Sequence, residues 1–127
     1  MKFKMITTAL AALLALGIAM SASAGSVVDT DGDGVPDGVD NCVTLANGPG
    51  GSEPGASCSA QEDADSDGFG NICDPDFDQS NTVGFGDFQL LLGAIGTADA
   101  VIDVDCSGAV GFSDFQRLLA FIGLPPG

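Results

Sequence analysis

The stretch DTDGDGVPDGVDNC, Asp29 to Cys42, sets five carboxylates within twelve residues, spaces them with glycines and places a cysteine just behind. At neutral pH such a segment repels itself and has little apolar surface to bury, so composition alone makes it disordered. The spacing of the carboxylates points elsewhere. Counted from Asp29 they fall at positions 1, 3, 5, 9 and 12 (Asp29, Asp31, Asp33, Asp37, Asp40), with Gly34 at position 6. This is the ligand spacing of a twelve-residue calcium loop. Residues 1, 3 and 5 alternate inward, and position 6 takes a sharp turn that glycine makes at low cost. Position 7, Val35, lends its carbonyl, and position 12 closes the oxygen shell.

Three more windows fit the same frame. DADSDGFGNICD offers Asp63, Asp65, Asp67, the carbonyl of Phe69, Asn71 and Asp74, with Gly68 at the turn. DFDQSNTVGFGD offers Asp76, Asp78, Ser80, the carbonyl of Thr82 and Asp87. Its turn residue is Asn81, the next best after glycine for positive φ. DVDCSGAVGFSD offers Asp103, Asp105, Ser107, the carbonyl of Ala109 and Asp114, with Gly108 at the turn. Fifteen of the 18 acidic residues occupy ligand positions of these four loops, and only Glu53, Glu62 and Asp99 fall outside. Chance spacing in an acidic, solvated chain does not produce that fraction, so up to four Ca2+ ions are expected. Magnesium is the poorer fit, because flexible shells of six to eight oxygens suit the larger ion. The last two loops have serine at position 5 and glycine at position 9. Water must complete those shells, and weaker intrinsic binding is expected there, around the 10⁻⁴ to 10⁻³ M range of extracellular calcium modules.

From Val83 onward a repeat appears. TVGFGDFQLLLGAIG (Thr82 to Gly96) and AVGFSDFQRLLAFIG (Ala109 to Gly123) share ten of fifteen positions at an offset of 27 residues. Apolar residues recur at i, i+3, i+4 and i+7, as Phe88, Leu91, Leu92 and Ile95 and as Phe115, Leu118, Leu119 and Ile122. Each set is the stripe of an amphipathic helix, ended by a glycine cap at Gly96 or Gly123. The two stripes are expected to pack face to face, with Val83, Val110, Phe85, Phe112 and Phe121 filling in around them, as the only core. Residues 25–82 are instead rich in Asp, Gly, Asn and Pro and predict irregular backbone. Within them NGPGGSEPGAS (Asn47 to Ser57) reads as a flexible surface loop. The fold class is therefore small and mostly irregular plus α: a calcium-loop and disulfide-stabilised N-terminal half and a two-helix C-terminal half of loop-helix units.

The chain opens with Lys2 and Lys4 ahead of an apolar run from about Ala9 to Met20, followed by Ala22-Ser23-Ala24. This predicts a secretory signal peptide over residues 1–24, its apolar run too short to span a bilayer. Beyond it the chain divides into residues 25–75 and 76–127. Cleavage leaves Arg117 alone against 18 acidic residues, a formal charge of −17. No nucleic-acid partner fits that balance, since phosphate binding needs Lys and Arg. Cations do, and no membrane span remains after cleavage. Four cysteines (Cys42, Cys58, Cys73, Cys106) in an exported chain predict two disulfides, of which sequence permits three connectivities. A zinc site would need Cys-x-x-Cys pairs or histidine, and the chain has neither. Catalysis is not expected: His, Tyr and Trp are absent and nearly every Asp is claimed by a loop.

DTDGDGVPDGVDNC followed by QEDADSDGFGNICD resembles a thrombospondin type 3 repeat pair, in which Asp-rich loops wrap calcium with almost no core. The resemblance implies a disulfide between Cys42 and Cys73, which leaves Cys58 for Cys106. The C-terminal pair, residues 76–123, resembles a type I dockerin, two calcium loops each followed by one helix. That likeness implies a cohesin-like receptor, bound through the helix faces and loop positions 10 and 11. Those positions are Phe85-Gly86 and Phe112-Ser113 here, where polar pairs are common in dockerins. Together the likenesses imply a secreted, non-catalytic calcium module with an adhesive, spacer or docking role at or outside the cell surface.

Overall fold

The computed structural model describes residues 27–52 and 54–127; the signal-peptide reading of residues 1–24 lies outside them. Regular structure is sparse. Two-residue strands β1 (Asn47–Gly48) and β2 (Gly51–Ser52) form an antiparallel hairpin, a single 3-10 turn covers Asn71–Cys73, and two helices follow, α1 (Phe85–Ala94) and α2 (Phe112–Phe121). The rest of the described residues are loop, as the composition of residues 25–82 predicts for that stretch.

The hairpin corrects the reading of residues 47–57 as a flexible loop. Its register pairs Asn47 with Ser52 and Gly48 with Gly51 around a Pro49–Gly50 tip. Nothing in these residues favours a strand. The hairpin forms because Asp33 occupies its mouth: Asn47 donates its N–H to Asp33 Oδ2 at 2.8 Å, and Gly50 N–H donates to the Asp33 carbonyl. A Cβ on Gly48 or Gly50 would collide with Asp33, so both positions need glycine.

An aspartate in the first turn caps each helix. Asp87 and Asp114, three residues past the N-caps Gly84 and Gly111, reach back to accept the cap N–H at 2.6 and 2.7 Å. This is the carboxylate half of a capping box, favoured further by the helix dipole. Each helix ends one residue before an isoleucine that leaves helical geometry, and Gly96 and Gly123 then turn with φ of +80° and +83°.

The two units interlock with two-fold pseudo-symmetry. Val83, ahead of α1, donates its N–H to Leu124 O and accepts from Gly123 N–H beyond α2; Val110, ahead of α2, pairs the same way with Thr97 and Gly96 beyond α1. Both valines are thereby buried in the main core with Leu91, Ala94, Ile102 and Leu118, and Phe88, Phe115 and Phe121 pack against it. Phe85 and Phe112 do not fill in as expected: they are 71% and 72% exposed. Nor do the helical stripes bury whole, since Leu92, Ile95, Leu119 and Ile122 are about half exposed. The valines and Ile102 take the space the stripes would have shared. A second small core, Cys42, Ile72 and Cys73 with Leu45, Ala56 and Phe121 against it, forms in the N-terminal half, so the helix pair does not hold the only one.

Disulfides join Cys42 to Cys73 and Cys58 to Cys106, as the type 3 likeness implies. The closed loops overlap, and on a chain-entropy argument each removes roughly 3 to 4 kcal/mol of freedom from the unfolded state. The second staples the halves together, supported by Ser57 N–H to Asp105 O at 2.7 Å, Asn71 Nδ2 to Ala100 O at 3.0 Å and Gly127 N–H to Cys73 O at 3.1 Å.

Candidate metal centres

The four loops share one backbone path. Their position-6 residues Gly34, Gly68, Asn81 and Gly108 all have positive φ, at 92°, 106°, 67° and 96°. So do their position-4 residues Gly32, Ser66, Gln79 and Cys106, at 77°, 64°, 54° and 55°. The second set was not foreseen, because its side chains have nothing in common. These turns aim backbone N–H groups at the first carboxylate. Asp29 accepts from Gly32 and Gly34, Asp63 from Ser66 and Gly68, and Asp103 from Ser107 and Gly108; Asp76 accepts from Ser80.

Each loop thereby gathers three carboxylates with one oxygen apiece inside 4.8 Å: Asp29, Asp31 and Asp33; Asp63, Asp65 and Asp67; Asp76, Asp78 and Asp87; Asp103, Asp105 and Asp114. In the first two loops these are positions 1, 3 and 5, and in the last two positions 1, 3 and 12. The helix-capping aspartates double as loop members, since Asp87 Oδ1 accepts from Asp78 N–H and Asp114 Oδ1 from Asp105 N–H. Serine stands in at position 5. Ser80 Oγ lies 3.4 Å from Asp76 Oδ1 and donates to Thr82 O at 3.1 Å, and Ser107 Oγ sits likewise between Asp103 Oδ1 and Ala109 O at 3.3 and 3.2 Å. The position-7 carbonyls of Thr82 and Ala109 are thus at their clusters. In the first two loops the position-7 N–H groups of Val35 and Phe69 bond Asp33 and Asp67.

Other predicted ligands stand outside these trios. Asp37 spends both oxygens on Thr30, at 2.7 Å from its N–H and 2.8 Å from its hydroxyl. Asn71 accepts from Ala64 N–H and donates to Ala100 O, so it tethers the halves. Asp40 and Asp74, both at position 12, approach by charge: Asp40 raises the pKa of Asp31, after burial and Asp33, and Asp67 and Asp65 raise that of Asp74. A fifth grouping, Cys58, Glu62 and Cys106, offers no thiolate because both sulfurs are in the disulfide.

The electrostatics of the clusters call for a cation. Asp33 and Asp114 are fully buried and Asp87 nearly so, Asp76, Asp103, Asp105 and Asp74 are buried too, and the only basic side chain among the described residues is Arg117. Burial, then repulsion from Asp67, Asp65 and Asp76, pushes Asp74 up to about 7 against a hydrogen bond from Asp76 N–H. Asp114 is raised by burial and by Asp105 and Asp103. Asp105 is also burdened by burial, yet hydrogen bonds from the Ser113 and Ser107 hydroxyls, among others, hold it below the usual range. In the equivalent place of the third loop Gly86 leaves room for Asp78 to lie against the helix.

Two oxygens of the first loop decide the fit. Asp31 Oδ2 and Asp40 Oδ2 are buried with no hydrogen-bond partner. A buried, unpaired carboxylate oxygen costs several kcal/mol, and hard oxygen donors of this kind are what Ca2+ takes. Residues 28–48 and 62–80 match the thrombospondin type 3 repeat. The match covers the first two loops whole and runs into the third, and these type 3 repeats point to a calcium-binding module. The repeat is non-catalytic. Neither a curated protein nor a solved structure matches the chain. No helix among the described residues is long and apolar enough to cross a membrane.

Proposed function

We propose that the protein is a secreted, non-catalytic calcium module whose four loops each take one ion and that serves as a structural or adhesive element outside the cell. The observation that carries this reading is the pair of orphaned buried oxygens on Asp31 and Asp40 within a type 3 repeat. In the first loop Asp29, Asp31, Asp33, Asp40 and the Val35 carbonyl are the ligands, with Asp37 at the position that often acts through water. Asp63, Asp65, Asp67, Asp74 and the Phe69 carbonyl serve the second. Asp76, Asp78, Ser80, Asp87 and the Thr82 carbonyl serve the third, and Asp103, Asp105, Ser107, Asp114 and the Ala109 carbonyl the fourth. Residues 25–75 and 76–127 act as its two segments, joined by Cys58–Cys106.

Its mechanism is coupled folding: the ions neutralise carboxylates that otherwise repel and fix backbone that has little core to hold it. Disulfides and type 3 repeats, both typical of extracellular proteins, support secretion. Each tenfold excess of calcium over Kd adds about 1.4 kcal/mol per site, so the thermal midpoint should climb steadily through millimolar calcium. A calorimetric titration that finds no binding, together with an unmoved melting curve, removes the reading.

A second reading, docking to a cohesin-like receptor, is supported by the exposed apolar face of the helices. Phe85, Phe88, Phe115 and Phe112 form a row, with ring centroids 6.2, 5.9 and 6.2 Å apart, beside a groove of about 390 Å³ that also takes in Leu92 and Ile95. Calcium-dependent capture of one defined partner, abolished by Phe85→Ser with Phe112→Ser, separates docking from a purely structural role.

A further inference from the structure

Gln61 lies between the first two loops, at none of their ligand positions, and holds a left-handed φ of 55°. Its polar atoms are fully engaged. Oε1 accepts Asn41 N–H at 2.9 Å, Nε2 donates to Asp40 Oδ1 at 2.8 Å and to Asn47 Oδ1, the backbone N–H bonds Asn47 O at 2.9 Å, and the carbonyl takes Asn41 Nδ2 at 3.2 Å. The amide orientation is fixed by chemistry, because a backbone N–H can only be accepted and a carboxylate oxygen can only accept.

We infer that Gln61 is a positioning residue for the first calcium site, an inference that rests on the calcium reading above. Asp40 Oδ1 is saturated by Gln61 Nε2 and by Cys42 N–H at 2.9 Å, so the carboxylate cannot rotate and Oδ2 is the atom left bare. On the other side of the loop the same glutamine clamps Asn47, whose N–H holds Asp33 Oδ2. One residue thus orients position 12 directly and position 5 through the hairpin. It does so from a segment that lies between the two matched stretches of the repeat. Partners of metal ligands in this role set affinity by removing the freedom of the ligand to turn away.

The test is a calcium titration of the isotope-labelled full chain followed at the amide signals of Gly34 in the first loop and Gly108 in the fourth. Gln61→Ala should weaken the apparent Kd at Gly34 by about 10- to 100-fold and leave Gly108 within about twofold of wild type. Gln61→Glu keeps the volume and the acceptor for Asn41 but sets an oxygen against Asp40 where a donor stood. It should show the same selective loss. Equal weakening at both signals in both variants makes the residue merely structural and overturns the inference, as does an unchanged Kd at Gly34. If Gly34 of the wild-type chain ignores calcium, the first site itself falls and the inference with it.

Discussion

At the scale of single residues, the loops are written in two alphabets. Position 6 is legible because only Gly and Asn turn left-handed at low cost, and the four occupants are Gly34, Gly68, Asn81 and Gly108. Position 4 turns the same way in Gly32, Ser66, Gln79 and Cys106, yet no residue type marks it. There the conformation is imposed by the carboxylate of position 1 drawing in the neighbouring N–H groups. For an L-residue this costs about 1 to 2 kcal/mol, part of which glycine returns as chain entropy. The second loop gives a matched pair of substitutions. Ser66→Gly should raise stability by about 0.5 to 1 kcal/mol, and Gly68→Ala, with open space around the added methyl but φ at 106°, should lower it by about 1 to 2 kcal/mol. Urea unfolding at fixed calcium reads both. The carboxylate spacing was equally legible, while the departure of Asp37 to Thr30 was not, because a neighbouring threonine competes for it without any signature in spacing.

At the scale of elements, both helices and their glycine stops follow from periodicity, but which stripe residues bury does not. A 3.6-residue period says that one face is apolar and leaves open what covers it. Here Val83 and Val110 are drawn inward by their backbone bonds to the far ends of the opposite unit, and the phenylalanines beside them stay out. Val110→Ala should therefore cost about 2 to 3 kcal/mol, between the known costs of smaller and larger core truncations. Phe112→Ser, which the expectation that Phe112 fills in the core would rank as the worse change, should stay within about 0.5 kcal/mol. Unfolding curves in saturating calcium decide between the two orders. The hairpin at Asn47–Ser52 was illegible for a related reason. Its stability comes from Asp33, fourteen residues away from Asn47, and not from its own sequence.

At the scale of the whole molecule, Asp74 and Asp76 flank Pro75 between the second and third loops, and folding without metal changes the protonation of Asp74. Burial first, then Asp67, Asp65 and Asp76, hold its folded pKa up to about 7 in the absence of metal, whereas an unfolded aspartate titrates near 4. Between those values the folded chain carries the additional proton. The contribution of Asp74 to the stability of the calcium-free protein is then fully present below about pH 4 and is lost as pH rises through about 7. Asp31 and Asp114, also raised, add in the same direction, whereas Asp105, lowered, acts below about pH 4, outside this window. Calcium inverts the sign, because ligand carboxylates must be deprotonated to hold it and the ion supplies the charge the proton had balanced. Decalcified protein should accordingly lose about 2 to 4 kcal/mol between pH 4.5 and 8, while calcium-loaded protein gains stability over the same window. Asp74→Asn, which keeps the size but cannot ionise, should flatten the metal-free slope and raise stability at pH 8. Unfolding at four pH values with and without calcium measures all of this, and a metal-free protein that is most stable above pH 7 would sink the assignment of Asp74 as the strained carboxylate of the junction.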